Sequence, residues 1–436
     1  MQNLILDLFN INSEDIDLFT TSNQDSSVIC TIRLKKKDLF CPVCGKRLSL
    51  NGCVIKNVSH QVLTGRNTQL IYQARRYRCT NCGHSEFEKN PFAYKGFRTS
   101  TFVMDQIMRD LHNPRINYTM IAQKYHLSTN QVIRYFDSFV VIPRYSLPES
   151  LGIDEIHSKM AKRKGASYLG ILIDNDHFSL LDVLPSRNKS DLNTFFLSFS
   201  EKERLNVKYV TIDMWEPYRD IAHRWLKNAV VAVDPFHVIE HLSNDFSKVR
   251  IRIMNSYIKG SRGYYLLKSW NRLLMSDKYD LDGPKKYNHV FHTKLNYGDI
   301  LKMILDLSDE LALAYNLKEW YRRFNCDFSF ETAPSELDAL IHAFQRSGIK
   351  EYEEFTNLLI HWKEEIINSF LFSDISGLRL SNARTESMNN SIRTNICISN
   401  GLSNFRRFRA RMIYCFNDHV FYSLSSSLHS FKTNKH

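Results

Sequence analysis

Apolar and polar positions change period several times along this chain. Residues 1–30 predict a small helical or mixed lead-in. The segments "NGCVIKNVSH" and "TQLIYQARRYRC" then alternate with the two-residue period of strands and predict a hairpin. From Thr101, "TFVMDQIMRDLHN" runs at helical spacing and stops at Pro114. In "NYTMIAQKYHLSTNQVIRYFDSF", residues 117–139, the positions Ile121, Ala122, Tyr125, Leu127, Val132 and Tyr135 fit the buried face of two helices meeting at a turn, "HLST". Residues 129–139 form the second helix. His126 stands where such turns prefer Gly, and His tolerates a left-handed backbone better than most residues. The two prolines of "VIPRYSLPES", 141–150, mark a linker.

Beyond the linker the pattern becomes mixed. "LGIDEI" (151–156), "YLGILID" (168–174) and "FSLLDVL" (178–184) read as strands, the last two as a hairpin. "SDLNTFFLSFS" (190–200) is helical, "VKYVTID" (207–213) is a strand, a helix starts at Glu216, and "AVVAV" (229–233) is a short buried strand. Three strands, a helix, a strand, a helix and a strand is the order of a ribonuclease H-like core. From about 240 to 375 strands largely vanish, and "DILKMILDLSDELALAYNLKEWYRRF" (299–324) predicts one long amphipathic helix within a helical insertion. The expected class is a multidomain α+β and α/β protein.

Charge and cysteines narrow the chemistry. The formal net charge of +12 favours a polyanionic partner, nucleic acid first. The longest apolar runs fall far short of the roughly 20 residues a bilayer helix needs, and the N-terminus lacks a secretory n-region. Six of the nine cysteines fall between residues 30 and 82, which suits a metal site in a reducing, cytoplasmic setting better than a disulfide framework. "CPVCG" and "CTNCG" are paired knuckles, so Cys41, Cys44, Cys79 and Cys82 are expected to hold a structural Zn²⁺ in a zinc ribbon, with Cys30, Cys53 and His84 in reserve. Arg75, Arg76 and Arg78 beside the second knuckle, Gln131 and Arg134 on the second helix of the helix-turn-helix, and Arg406 and Arg407 in the basic tail "SNFRRFRARMIYCF" are candidate DNA contacts.

Three acids stand out. Asp154 lies near the end of the first strand of the core and Asp213 ends the fourth, where α/β sheets tend to place ligands. Glu386 lies beyond the insertion in "NARTESMNNSIR", with Asn389, Asn390 and Arg393 on the same helical face and Met388 and Ile392 opposite. Converging carboxylates would hold divalent metal, Mg²⁺ or Mn²⁺, and the amides and cation would approach phosphate.

Taken in order, "GIDEI", "RKGASYLGILID", "LLDVLPSR", "VTIDMWEPYRD", "DPFHVIEHL", "LALAYNLKEW", "SNARTESMNNSIR" and "GLSNFRRFRARM", after the twin knuckles, resemble the ISL3 family of insertion-sequence transposases across nearly the whole chain. The resemblance implies that Asp154, Asp213 and Glu386 are a DDE triad, and that Asp234 and His237 form a supporting D-x-x-H element. It further implies metal-dependent cleavage at terminal inverted repeats of double-stranded DNA, transfer of the freed 3′-hydroxyl to target DNA, and at least a dimer during reaction. Ser387 departs from the glycine common in the family. The expected domains are a zinc ribbon (1–95), a helix-turn-helix (96–146), the core (147–240), the helical insertion (241–375), and a final core helix with basic tail (376–436). The competing readings are a transposase-derived DNA-binding regulator and a ribonuclease H-like nuclease without strand transfer. The protein is expected to be nucleoid-associated.

Overall fold

The computed structural model describes residues 13–24, 27–63, 66–162, 165–276, 278–399 and 404–424. They divide into two compact units, residues 1–144 with 391–436, and residues 145–390.

In the first unit, strands β1 (Ile16–Asn23), β2 (Ser27–Leu34), β3 (Ser49–Leu63), β4 (Arg66–Arg78) and β5 (Ser85–Phe87) form one sheet of order β1-β2-β4-β3, with β5 on β4. The lead-in expected to be helical or mixed thus supplies two strands of this sheet. Its apolar residues find partners far along the chain, because β2 pairs in parallel with β4, and no local pattern announces such pairing. Along β4 the side chains of Leu70, Tyr72 and Ala74 alternate inward onto Cys30, Ile32, Val58 and Phe92.

Three helices follow, Thr101–His112, Tyr118–Lys124 and Thr129–Phe139. Each starts on a side-chain cap. Ser100, Asn117 and Ser128 accept the N–H groups of Val103, Met120 and Gln131. Between the second and third, His126 takes φ 50°, the left-handed turn expected of it. Val132, Tyr135, Phe136 and Phe139 are buried, each stabilising the packing by about 1.5–3 kcal/mol. The tail helix Phe405–Phe416 belongs to this unit: the Tyr414 hydroxyl donates to the Met108 carbonyl. Strand β6 (Val140–Val141) pairs with Phe421–Tyr422.

The second unit is built on β7 (Ser150–His157), β8 (Tyr168–Asp174), β9 (Ser179–Leu184), β10 (Tyr209–Ile212) and β11 (Val230–Val233), in the order β11-β10-β7-β8-β9. β7, β8 and β9 are antiparallel neighbours. β10 lies parallel to both β7 and β11. The strands are buried on both faces and read as near-continuous apolar runs. Their core is continuous with that of the helices through Phe246, Tyr321 and Phe355. The helix expected over 299–324 is two, Tyr297–Leu305 and Asp309–Asp327. Ser308 ends the continuity by capping the second, accepting from the Leu311 N–H. The insertion also holds one hairpin, β12 (Lys286–Asn288) and β13 (Thr293–Leu295). Among the described residues no helix is long and apolar enough to cross a membrane.

Candidate functional site

The parallel register of the second sheet builds a row of acids. Ile153, Ile212 and Val233 are paired neighbours on β7, β10 and β11. The next residue on each is Asp154, Asp213 and Asp234. Three acids therefore sit side by side, Asp213 and Asp234 just past the carboxyl ends of β10 and β11, and Asp154 midway along the longer β7 rather than near its end as expected. Asp154 and Asp234 are buried. Burial, and then the Asp213 charge, push Asp154 up to about 8, and burial likewise raises Asp234.

His237 answers this charge. It lies in the first turn of the helix Pro235–Ser256, and its Nε2 is 3.1 Å from Asp213 Oδ1 and 4.0 Å from Asp234 Oδ2. The hydrogen bond to Asp213 pushes His237 up to about 9.

The start of the helix Ala383–Ile398 closes over the row. Asn382 is buried. Its Nδ2 donates to Asp213 Oδ1 at 3.2 Å and to the Ile153 carbonyl at 3.4 Å, and its backbone N–H donates to Asp234 Oδ1 at 3.3 Å. Arg384 donates to the carbonyls of Asn175 and Asp176. Thr385 sits over Gly152, where a Cβ would lie 2.6 Å from the Thr385 Oγ1. The glycine is what lets helix and strand approach this closely. Two turns into the segment, Asn389 Nδ2 donates to Asp154 Oδ2 at 2.6 Å.

The expected residues are thus placed as follows. Asp154, Asp213, Asp234 and His237 come together. Glu386 is exposed on the first turn of the helix, on the face that carries Asn389. The third member of the compact oxygen cluster is instead Glu155, whose carboxylate lies with those of Asp154 and Asp213 inside 4.8 Å. Glu155 is held by Arg187 and by the Tyr218 hydroxyl at 2.7 Å. Arg187 itself is sandwiched 4.3 Å from the rings of Tyr168 and Trp215. Asn389, expected to face phosphate, is buried against Asp154; Asn390 and Arg393 are exposed. Asn382, Glu155 and Gly152 were not singled out from sequence. Their signal is long-range pairing, which has no period.

In the first unit the four knuckle thiols converge. Cys41 Sγ lies 3.4 Å from Cys82 Sγ and Cys44 Sγ 3.5 Å from Cys79 Sγ, and all four lie within 4.8 Å of one another. The two turns repeat each other. Gly45 and Gly83 take φ 71° and 76°, and each donates to the carbonyl of its first cysteine. The backbone N–H of Cys82 draws the Cys79 thiol down to about 6. Cys30, Cys53 and His84 lie outside this cluster. Of the candidate DNA contacts, Arg75 is buried between Asp17 and Glu88, and Arg407 is paired with Asp137 at 2.7 Å. Both are engaged internally, contrary to their expected outward role. Arg76, Arg78, Gln131, Arg134 and Arg406 are exposed. Gln131 also completes the capping box on Ser128, and Arg134 donates to the Gly96 carbonyl.

Comparison with known proteins identifies the family. The sequence model of the ISL3 family of DDE transposases, described as "Transposase", matches residues 151–412, more than half of the chain. The transposase for insertion sequence element IS1557 of Mycobacterium tuberculosis is 27% identical over 114 residues, 26% of this chain and 25% of that protein. The transposase for insertion sequence element IS1001 of Bordetella parapertussis is 22% identical over 253 residues, 56% of this chain and 61% of that protein. The matched region therefore spans about a quarter of the first relative's length and about three-fifths of the second's.

Proposed function

This chain belongs to the ISL3 transposase family, and on that premise we propose that it binds the terminal inverted repeats of an insertion sequence, cleaves DNA strands there, and joins them to target DNA. The observation that carries the reading is the row Asp154, Asp213 and Asp234 on adjacent parallel strands, closed by the segment that bears Asn382, Glu386 and Asn389. The strand order, three antiparallel neighbours followed by two parallel ones, supports a ribonuclease H-like core.

The donor set fits a hard divalent cation. It is all oxygen, it is crowded with negative charge, and Asn389 Oδ1 is buried without a hydrogen-bond partner among the described residues. Asp154, Asp213 and Glu386 would hold Mg²⁺ or Mn²⁺. Such ions supply Lewis-acid activation of a water or 3′-hydroxyl and stabilisation of the leaving 3′-oxygen. The chain's own residues do the positioning. Asn389 fixes one oxygen of Asp154 while the Glu155 N–H fixes the other. Asn382 and His237 orient Asp213, and His237 keeps a proton at Nε2 facing it. Glu386, one turn before Asn389, would complete the ligand set.

Cys41, Cys44, Cys79 and Cys82 fit a closed four-thiolate Zn²⁺ site, which is structural. The zinc ribbon (1–95) and the helix-turn-helix (96–146) would recognise the repeats through Arg76, Arg78, Gln131, Arg134 and Arg406, with Asn390 and Arg393 toward phosphate near the site. The segments 147–240, 241–375 and 376–436 would act as core, insertion and closing helix. Pairing two ends requires at least a dimer. A regulator without nuclease activity would have no use for three buried or half-buried acids in one row.

The test is cleavage of a labelled duplex bearing the flanking inverted repeat, with and without Mg²⁺ or Mn²⁺. Metal-dependent nicking at the repeat end is expected. Specific binding with no cleavage under either metal would overturn the enzymatic reading.

A further inference from the structure

The turn after β9 brings one cation to the edge of the acid row. Arg187 lies between the end of β9 and the helix Lys189–Leu197. The turn is pinned locally, because the Ser186 hydroxyl donates to Asp191 Oδ2 at 2.6 Å and accepts the Asn188 N–H at 3.2 Å. The guanidinium is fixed as well. Its Cζ lies 4.3 Å from the ring centroids of both Tyr168 and Trp215. Those rings are held in turn. Tyr168 opens β8, where it pairs with His157 of β7 and meets that ring edge-on at 5.5 Å. Trp215 stands two residues after Asp213. Its backbone N–H donates to the Asp213 carbonyl at 2.6 Å, and its ring meets Tyr218 edge-on at 4.7 Å.

A guanidinium carries several N–H donors in one plane. Among the described residues this one makes a single hydrogen bond, from Nη1 to Glu155 Oε1. The side chain keeps 28% of its surface exposed. The other acids near it in sequence are engaged elsewhere. Asp182 accepts from the Tyr145 hydroxyl, Asp191 from Ser186, and Glu216 pairs with Arg219. Glu155 itself lies with Asp154 and Asp213 inside 4.8 Å, so one carboxylate separates the cation from the row. The other cations beside the row are spent: His237 faces Asp213, Asp234 and Glu240, and Arg384 donates to two carbonyls. A rigid planar fork with unspent donors matches the paired oxygens of a phosphate. We infer that Arg187 contacts the DNA phosphate at which the strand is cut. Two rings and Glu155 hold its donors in place before DNA arrives, so little order is lost when the phosphate docks. The inference rests on the reading of the protein as a DNA transposase and adds a substrate contact that the acids and amides of the row do not supply.

The test uses the full chain and two fluorescein-labelled inverted-repeat duplexes. One is natural. The other carries a methylphosphonate, which has no charge, at the phosphate that metal-dependent nicking identifies. Binding is read by anisotropy in Ca²⁺ at one salt concentration. The wild-type protein should prefer the natural duplex. Arg187→Gln should shrink that preference about tenfold, the scale of one charge-assisted hydrogen bond, and leave binding of the methylphosphonate duplex unchanged. Arg187→Lys keeps the charge, loses the planar fork, and should shrink the preference severalfold. If Arg187→Gln does not fold, as read by circular dichroism, Arg187→Lys alone decides. A residue that only steadied Glu155 would weaken both duplexes alike when changed. An equal fall on both duplexes, an undiminished preference in the variants, or no preference in the wild type overturns the inference. Nicking of the natural duplex by the wild type then leaves the transposase reading standing. No nicking under Mg²⁺ or Mn²⁺ overturns that reading, and this one with it.

Discussion

Asn389 Nδ2 lies 2.6 Å from Asp154 Oδ2, joining two residues 235 positions apart. This bond ties the closing helix to β7, the central strand of the sheet. Asn389→Ala would leave a buried carboxylate oxygen without a donor. Metal-dependent nicking is expected to fall about 10- to 100-fold, as for other residues that orient a metal ligand. Binding of the inverted repeat, measured by gel shift, should be unchanged.

Glu386→Gln removes a charge from an exposed helix turn while keeping its shape. Cleavage should be lost and specific end binding kept. Loss of both together would mean that Glu386 supports the fold rather than the chemistry.

Gly152 is where strand and helix touch. A methyl group there meets Thr385 Oγ1 at 2.6 Å and both Asn175 Oδ1 and an Ile173 side-chain carbon at 2.8 Å. Gly152→Ala should cost about 1–3 kcal/mol in urea unfolding, the usual scale for overpacking. Thr385→Ala in the same chain should recover part of that loss.

His60 gives a pH dependence with a defined sign. It is buried, and its Nδ1 lies 2.7 Å from the Ser100 hydroxyl, which in turn accepts the Val103 N–H. Burial lowers His60 to about 4, against 6.5 for an unperturbed imidazole. Between those values the unfolded chain binds more protons than the folded one. Stability is fully present above pH 6.5 and is lost as pH falls toward 4, by about 3 kcal/mol in all. His60→Gln should flatten this part of the pH profile, read as the difference between the two unfolding curves.

The four knuckle cysteines predict one tightly held zinc per chain. Metal analysis should find it, and Cys79→Ser should remove it. Chelation should abolish cooperative unfolding of the first unit while leaving the second unit's transition in place.

Much of this was legible from sequence because it is local. The knuckles are read from spacing alone, and the helix Thr129–Phe139 from a Ser cap, a turn and a periodic apolar face. Asp213 is read because it directly follows a short apolar strand, and Asp234 with His237 because their spacing resembles a family element. What was missed depends on partners far away. Asn382 carries no periodic signal, and only the folded chain spends its amide on Asp213. Arg75 looks like a solvated cation until β1 and β5 bring Asp17 and Glu88 to it. The strand Ile16–Asn23 has no clear alternation, since most of its side chains are not buried. The break at Ser308 was hidden because the apolar period continues across it while the backbone does not.

The 235 residues between Asp154 and Asn389 also set an order of events during synthesis. A ribosome adding about 5–20 residues per second spends on the order of tens of seconds between them. Once Asp234 has been made, the nascent chain holds its cysteine knuckles, its turn of paired helices and the strands of its acid row, and lacks the segment that closes the row. A chain interrupted between Asp234 and Asn382 would keep an open row, and would also lack the tail helix Phe405–Phe416 that packs in the first unit. Completion of both units therefore waits on the last part of the chain to be made.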